Sequence, residues 1–162
     1  MSRMTTLCYL EDGERYLLLH RVKKADDGNR DKWIGVGGKF EDGESPEDCL
    51  LREVWEETGL RLTRYRYRGI VTFVSDVYPC EYMHLFTADR WEGVQTVCPE
   101  GDLAWVKKSD FRALPMWEGD RIFLDLLEAD NPFFSLKLTY HGESLTAAVL
   151  NGKKSDKIRE SR

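Results

Sequence analysis

The period of the apolar positions changes along the chain, and each change marks an element. Thr5 to Leu10 and Arg15 to His20 are short strand-forming runs on either side of Asp12-Gly13, which predicts a hairpin. Val22 to Lys32 is polar and charged, and reads as a loop. From Pro46 to Thr58 the pattern turns helical. At about 100° per residue, with Glu53 as origin, Leu50, Leu51, Val54 and Thr58 fall near 60° to 160° and form the predicted buried face. Period-two runs return at Thr63–Arg68 and Ile70–Val74, where Tyr65 and Tyr67 alternate with arginines, and again at Glu81–Ala88 and Leu103–Val106. Ser109-Asp110 caps a brief turn before Leu114-Pro115. Ile122, Phe123, Leu126 and Leu127 give a second helix within Gly119–Ala129. Phe133–Tyr140 and Leu145–Leu150 flank His141-Gly142 as a closing hairpin. Strands interleaved with two main helices predict an α/β sandwich with a mixed sheet.

At 162 residues without internal repeats or a linker, the chain reads as one domain spanning 1–151. A polar tail, 152–162, is expected to be disordered. The apolar and charged fractions, 41% and 33%, are those of a soluble globular protein. No apolar run approaches a membrane span and the N-terminus lacks a signal-peptide core, so a cytoplasmic protein without a membrane partner is expected. Cys8, Cys49, Cys80 and Cys98 are scattered without a zinc spacing, which favours reduced thiols. A net charge of −5 argues against a nucleic-acid polymer as partner. It leaves room for a small polyphosphate, because bound cations reverse the local sign.

The candidate chemistry is concentrated in GKFEDGESPEDCLLREVWEETGL, Gly38 to Leu60. On the helix Glu57 falls about 40° from Glu53, and Glu56 about 60° on the other side, so three carboxylates share one stripe. Arg52 is the next side chain round. Such like charges resist being ionised together. A solvated acidic face is the ordinary reading, but this stripe borders the buried face, where a divalent cation would relieve the repulsion. An all-oxygen set suits Mg²⁺ or Mn²⁺. Ahead of the helix, Gly35, Gly37 and Gly38 allow backbone to approach a ligand closely, and Asp42-Gly43 is a turn signal. Ser45, Pro46 and Asp48 make a capping-box-like start. Lys23 and Lys24, in the loop before the glycines, read either as solvated side chains or as point charges for phosphate oxygens.

Gly38, five residues, Glu44, seven residues, then Arg52-Glu53-Val54-Trp55-Glu56-Glu57-Thr58-Gly59-Leu60 resembles the Nudix box with no position missing. Nine constrained positions at fixed spacing make this a specific signal. The resemblance implies a Nudix fold, a mixed sheet between helical layers. It also implies Mg²⁺- or Mn²⁺-dependent hydrolysis of a nucleoside diphosphate linked to a further group. Glu53, Glu56 and Glu57 match metal-binding acids, and the carbonyl of Gly37 matches a backbone ligand. Arg52 matches the residue that holds the glutamates, and Glu44 the acid bracing the loop to the helix. Either Glu53 or an acid outside the box takes the proton of the attacking water.

Further similarity, running to FFSLKLTYHGESL, is to the MutT-like and MutX-like 8-oxo-dGTP diphosphatases of the family. On that resemblance Glu100 matches an additional metal-binding acid, Trp117 and Asp120 match base-pocket residues, and Phe73 matches an apolar wall. Read alone, Trp117 is equally a core tryptophan and Asp120 a helix-capping aspartate. Ile34 and Gly119 depart from the animal enzyme, which has an asparagine and a second aspartate there. The resemblance therefore implies a small nucleotide as partner, with an oxidised purine triphosphate as first expectation. Another nucleoside diphosphate derivative, such as ADP-ribose or an undamaged dNTP, is the rival, and a non-catalytic nucleotide-binding module a third. A monomer or a homodimer is compatible with each.

Overall fold

The structure is a computed structural model that describes residues 1–22, 29 and 31–154. Lys23 and Lys24 lie outside the described residues, as does the tail from 155 onward.

A mixed sheet with helices on both faces forms the fold. Its strands are β1 (Arg3–Asp12), β2 (Arg15–His20), β3 (Trp33–Ile34), β4 (Leu60–Ser75), β5 (Glu81–Gly93), β6 (Asp102–Lys107), β7 (Phe134–His141), β8 (Ser144–Leu150) and β9 (Lys153–Lys154). They are ordered β3-β2-β1-β5-β4-β7-β8-β9, with β6 paired to the free side of β2. β1 runs parallel to β5 and β4 parallel to β7, while the other pairs are antiparallel.

Helix α1 (Pro46–Thr58) packs on one face and α2 (Glu118–Glu128) on the other. Leu50 and Val54 of α1 join Cys8, Leu10, Leu17 and Phe86 in one core. Ile122, Phe123, Leu126 and Leu127 of α2 join Tyr9, Leu18, Leu85 and Leu136 in the other. Fully burying one such leucine contributes about 1.5–3 kcal/mol, and this fixes both helices against the sheet.

The ends of α1 are chemically specified. Ser45 Oγ accepts from Asp48 N at 3.1 Å and Asp48 Oδ2 accepts from Ser45 N at 3.0 Å, which closes the capping box. Gly59 ends the helix in the left-handed region, at φ 77°.

Four expectations change. Leu51, placed on the buried face, is 36% exposed, because the stripe facing the sheet is narrower than the arc read from the sequence. The strand read at Thr63–Arg68 and Ile70–Val74 extends further at both ends, as the sixteen-residue β4, with register shifts through Leu62–Tyr65 and at Tyr67–Gly69. α2 starts at Glu118, one residue before the expected Gly119. The sheet also runs past residue 151: Asn151-Gly152 turns the chain so that Lys153 and Lys154 pair with Leu150 and Val149.

The segment that positions the site lies in a gap between strands. β1 and β2 pair only near their turn, at Leu10 to Asp12, and then splay. Trp33–Lys39 fills the space, pairing with Leu19 and His20 of β2 and bridging Cys8 and Thr5 of β1. Cys8 and Val36 exchange hydrogen bonds of 2.6 and 2.9 Å, and Thr6 N donates to Gly38 O at 2.9 Å.

Candidate active site

The glycines of this wedged segment are there because backbone and side chains come close to them. A Cβ on Gly37 would stand 1.9 Å from the Thr6 carbonyl oxygen, and one on Gly38 would stand 2.4 Å from the Glu53 carboxyl carbon. The strand packing thus brings the loop directly onto the acid stripe of α1.

Arg52 organises that stripe. Its Nε and Nη2 donate to Glu44 Oε2 and Oε1, both at 2.8 Å, and its Nη1 donates to Glu53 at 2.8 Å and Glu56 at 3.1 Å. Nη2 also donates to the Lys39 carbonyl at 2.9 Å, tying the helix to the loop. Bidentate pairing of this kind is strong and directional. The guanidinium holds the Glu44 carboxyl far below its ordinary value, at about 2.

The other acids differ in environment. Glu56 is 52% exposed at its side chain. Burial raises the Glu53 carboxyl, with Arg52 pulling it back down. Its Oε1 is taken by Arg52, while Oε2 has no hydrogen-bond partner among the described residues. Glu57 is only 4% exposed, and its Oε2 accepts from Gly37 N at 2.8 Å. Burial and the adjacent Glu100 carboxyl push Glu57 up to about 9. Glu100 in turn accepts from Arg21 Nη1 at 3.1 Å, and its charge also reaches Glu53.

Glu53, Glu57 and Glu100 therefore form one electrostatically coupled group around the glycine loop. Among the described residues no three such side chains already stand at metal-cage spacing. Arg52 draws Glu53 and Glu56 to itself, and Gly37 engages Glu57 through its N–H. The chemistry of the group still fits a hard divalent cation. Its donors are all oxygens, and the Glu57–Glu100 pair must otherwise hold a proton in common.

The same cleft, of about 800 Å³, is lined by Gly37, Glu53 and Glu100 and by Phe73, Trp117 and Asp120. Trp117 meets Phe73 and Tyr140 edge-on, with ring centres 5.4 and 5.0 Å away. Its Nε1 donates to Asn29 Oδ1 at 2.7 Å, and Lys32 Nζ lies 4.5 Å over its ring. Lys32 also pairs with Glu143 of the β7–β8 turn. Trp117 is thus a core residue, 7% exposed, that also reaches polar partners at the cleft.

Asp120 is 6% exposed, and its carboxyl has no hydrogen-bond partner among the described residues. α2 has no side-chain cap bond, so the capping alternative for Asp120 does not hold. Burial pushes its carboxyl up to about 8. Gly119 beside it has no room for a side chain, since a Cβ would stand 2.4 Å from Leu138 Cδ1. Gly119 N donates instead to Tyr140 Oη at 2.7 Å.

Several residues at the cleft escaped the sequence reading. Arg3, Arg21 and Lys39 are its cationic lining among the described residues, and Glu81 is a further acid. Arg21 carried one available signal, a charged residue directly after the apolar run of β2. Lys39 follows Gly38 within the motif but matches none of its constrained positions, and Arg3 and Glu81 are brought to the cleft only by the pairing of β1 with β5.

Comparison with known proteins identifies the family of the chain. The NUDIX domain family matches residues 1–127. A Bacillus subtilis protein named "Uncharacterized Nudix hydrolase YvcI" is 33% identical over 148 residues, covering 88% of this chain and 89% of that protein. The mouse "Oxidized purine nucleoside triphosphate hydrolase" is 33% identical over 128 residues, covering 78% of this chain and 80% of its own. Among solved structures, the MutT protein of Bacillus halodurans superposes with a TM-score of 0.81 at 27% identity, covering 93% of this chain and 99% of its own. Nudix hydrolases generally require divalent cations, as the coupled acids here would suggest. The chain belongs to the Nudix hydrolase family, enzymes acting on nucleoside diphosphate derivatives, and its relatives include MutT-like members.

Proposed function

We propose that the protein hydrolyses oxidised purine nucleoside triphosphates, 8-oxo-dGTP foremost, to the monophosphate and pyrophosphate, and so clears damaged nucleotides from the cytoplasmic pool. The observation that carries this reading is the single cleft. It joins the Glu53–Glu57–Glu100 group to the Phe73–Trp117–Asp120 pocket, so one nucleotide can present phosphates to the first and its base to the second. The similarity to the mouse oxidised-purine enzyme favours the same substrate class.

Glu53, Glu56, Glu57 and Glu100, with the Gly37 carbonyl, would hold Mg²⁺, or Mn²⁺ in its place. Bound there, the cation neutralises phosphate oxygens and makes water more acidic. The chain supplies the rest. Arg3, Arg21 and Lys39 attract the polyphosphate, and Lys23 and Lys24 remain candidates for the same role. Arg52, braced by Glu44, keeps the acids in register. Glu53 Oε2 accepts a proton from the attacking water as its oxygen bonds to the α-phosphorus and the bond to the bridging oxygen of pyrophosphate breaks. Phe73 and Trp117 pack against the base while Asp120 bonds its edge.

The test is product release with Mg²⁺ from 8-oxo-dGTP, dGTP, 2-oxo-dATP, dCTP and ADP-ribose. A kcat/KM preference for 8-oxo-dGTP is expected. Preference for ADP-ribose, or none, would keep the hydrolase chemistry and refute the substrate. Glu56→Gln is expected to abolish turnover in a folded protein.

A further inference from the structure

Glu81 begins β5 and in the sheet register stands between Arg3 of β1 and Phe73 of β4. The two-residue period of a strand puts it on the same face as Met83 and Leu85, the face that packs toward α2. It lines the cleft together with Phe73, Trp117 and Asp120. Thr5 Oγ1 donates to Glu81 Oε2 at 3.0 Å, which fixes the carboxyl, and Oε1 has no hydrogen-bond partner among the described residues. Asp120 has both oxygens in that condition, and the Glu81 charge acts on it directly. Two carboxyls drawn out of water, with three oxygens unbonded, carry a desolvation cost that a ligand with N–H groups would remove. Arg3 and Lys39 influence Glu81 only through their charge. The catalytic acids are not among the charges acting on either group.

We propose that Glu81 is a specificity-determining residue which, with Asp120, reads a base edge presenting two adjacent N–H donors. This rests on the reading of the cleft as a nucleotide site. Guanine-type bases present such an edge through N1–H and the 2-amino group, whereas adenine presents one amino group beside an acceptor nitrogen. A site built on hydrogen bonds of this kind discriminates strongly against a base that leaves its buried groups unpaired.

The experiment measures kcat and KM of wild type, Glu81→Gln, Glu81→Met and Thr5→Val for 8-oxo-dGTP, dGTP and dATP, with thermal unfolding as the control for folding. In both Glu81 variants the kcat/KM for the two guanine nucleotides should fall about tenfold or more relative to dATP, chiefly through KM. Thr5→Val, which only frees the carboxyl, should shift KM the same way to a smaller extent, and it decides the matter if the Glu81 variants do not fold. A wild type that prefers guanine nucleotides, with folded variants that keep that preference or lose all three substrates equally, overturns the role of Glu81 alone. A wild type indifferent to the base overturns both this inference and the substrate reading beneath it.

Discussion

Arg52 and Glu44 meet through two parallel hydrogen bonds of 2.8 Å, so the loop before α1 and the acid stripe on it share one fixed hinge point. The pair also predicts how the protein responds to acid. The Glu44 carboxyl is held at about 2, against an ordinary 4.5. A depressed carboxyl contributes stability that is complete above its unfolded value and is lost as pH falls toward the folded one. Glu44→Gln should therefore lower Tm near neutrality and flatten its dependence between about pH 4.5 and 2. An unchanged acid limb in the variant would show that the pair does not contribute.

Glu57 has the opposite sign. Its carboxyl is raised from 4.5 to about 9, so the folded state holds the proton more tightly than the unfolded chain does. Without a divalent cation, stability should fall as pH rises through that interval. Tm of chelator-treated protein is expected to drop between about pH 6 and pH 8.5, and Glu57→Gln to remove most of that slope. Adding Mg²⁺ should restore Tm more at the higher pH, where the cation competes with less proton. Equal Tm values at both pH values in chelator would refute the assignment.

Arg21 acts on Glu100 by charge and by one 3.1 Å hydrogen bond. Removing it leaves Glu100 facing Glu57 and Glu53 without that support. Arg21→Met should raise the Mn²⁺ concentration that half-saturates binding by about tenfold, the scale typical of groups that orient metal ligands. Arg21→Lys should recover part of the loss. Titration of the Mn²⁺ paramagnetic signal measures this without turnover, and equal affinities in all three proteins would remove Arg21 from the site.

Neighbouring leucines on α1 should behave very differently. Leu50 is fully buried and Leu51 is exposed. Leu50→Ala is expected to cost about 2–5 kcal/mol, and Leu51→Ala less than about 0.5 kcal/mol. Denaturant unfolding of the two variants checks both values.

The stripe of Glu53, Glu56 and Glu57, its cap at Ser45 and the extent of its helix, Pro46 to Thr58, were legible because helical spacing and end chemistry are local. The closing hairpin was legible for the same reason. Leu51 was misread because angular position alone does not say how wide a stripe the sheet covers. Thr63–Arg68 and Ile70–Val74 read as strand, and the ladder to β5 and β7 carries the chain through Gly69 between them with a shift in register. Arg21 finds Glu100 across 79 residues, Thr5 finds Glu81 across 76, and Trp117 finds Asn29 across 88. No spacing rule links such pairs; only the order of strands in the sheet does.

The wedging of Trp33–Lys39 between two splayed strands has a dynamic consequence. Backbone amides at Val36 and Cys8 are fully buried and bonded to each other across an isolated bridge onto β1, so they should rank among the slowest to exchange with solvent deuterium. The glycine-loop end of the cleft is thus a stationary anvil. The polar side chains around Trp117, by contrast, are tied by single hydrogen bonds and ion pairs, as in Trp117–Asn29 and Lys32–Glu143, and can be exchanged one at a time.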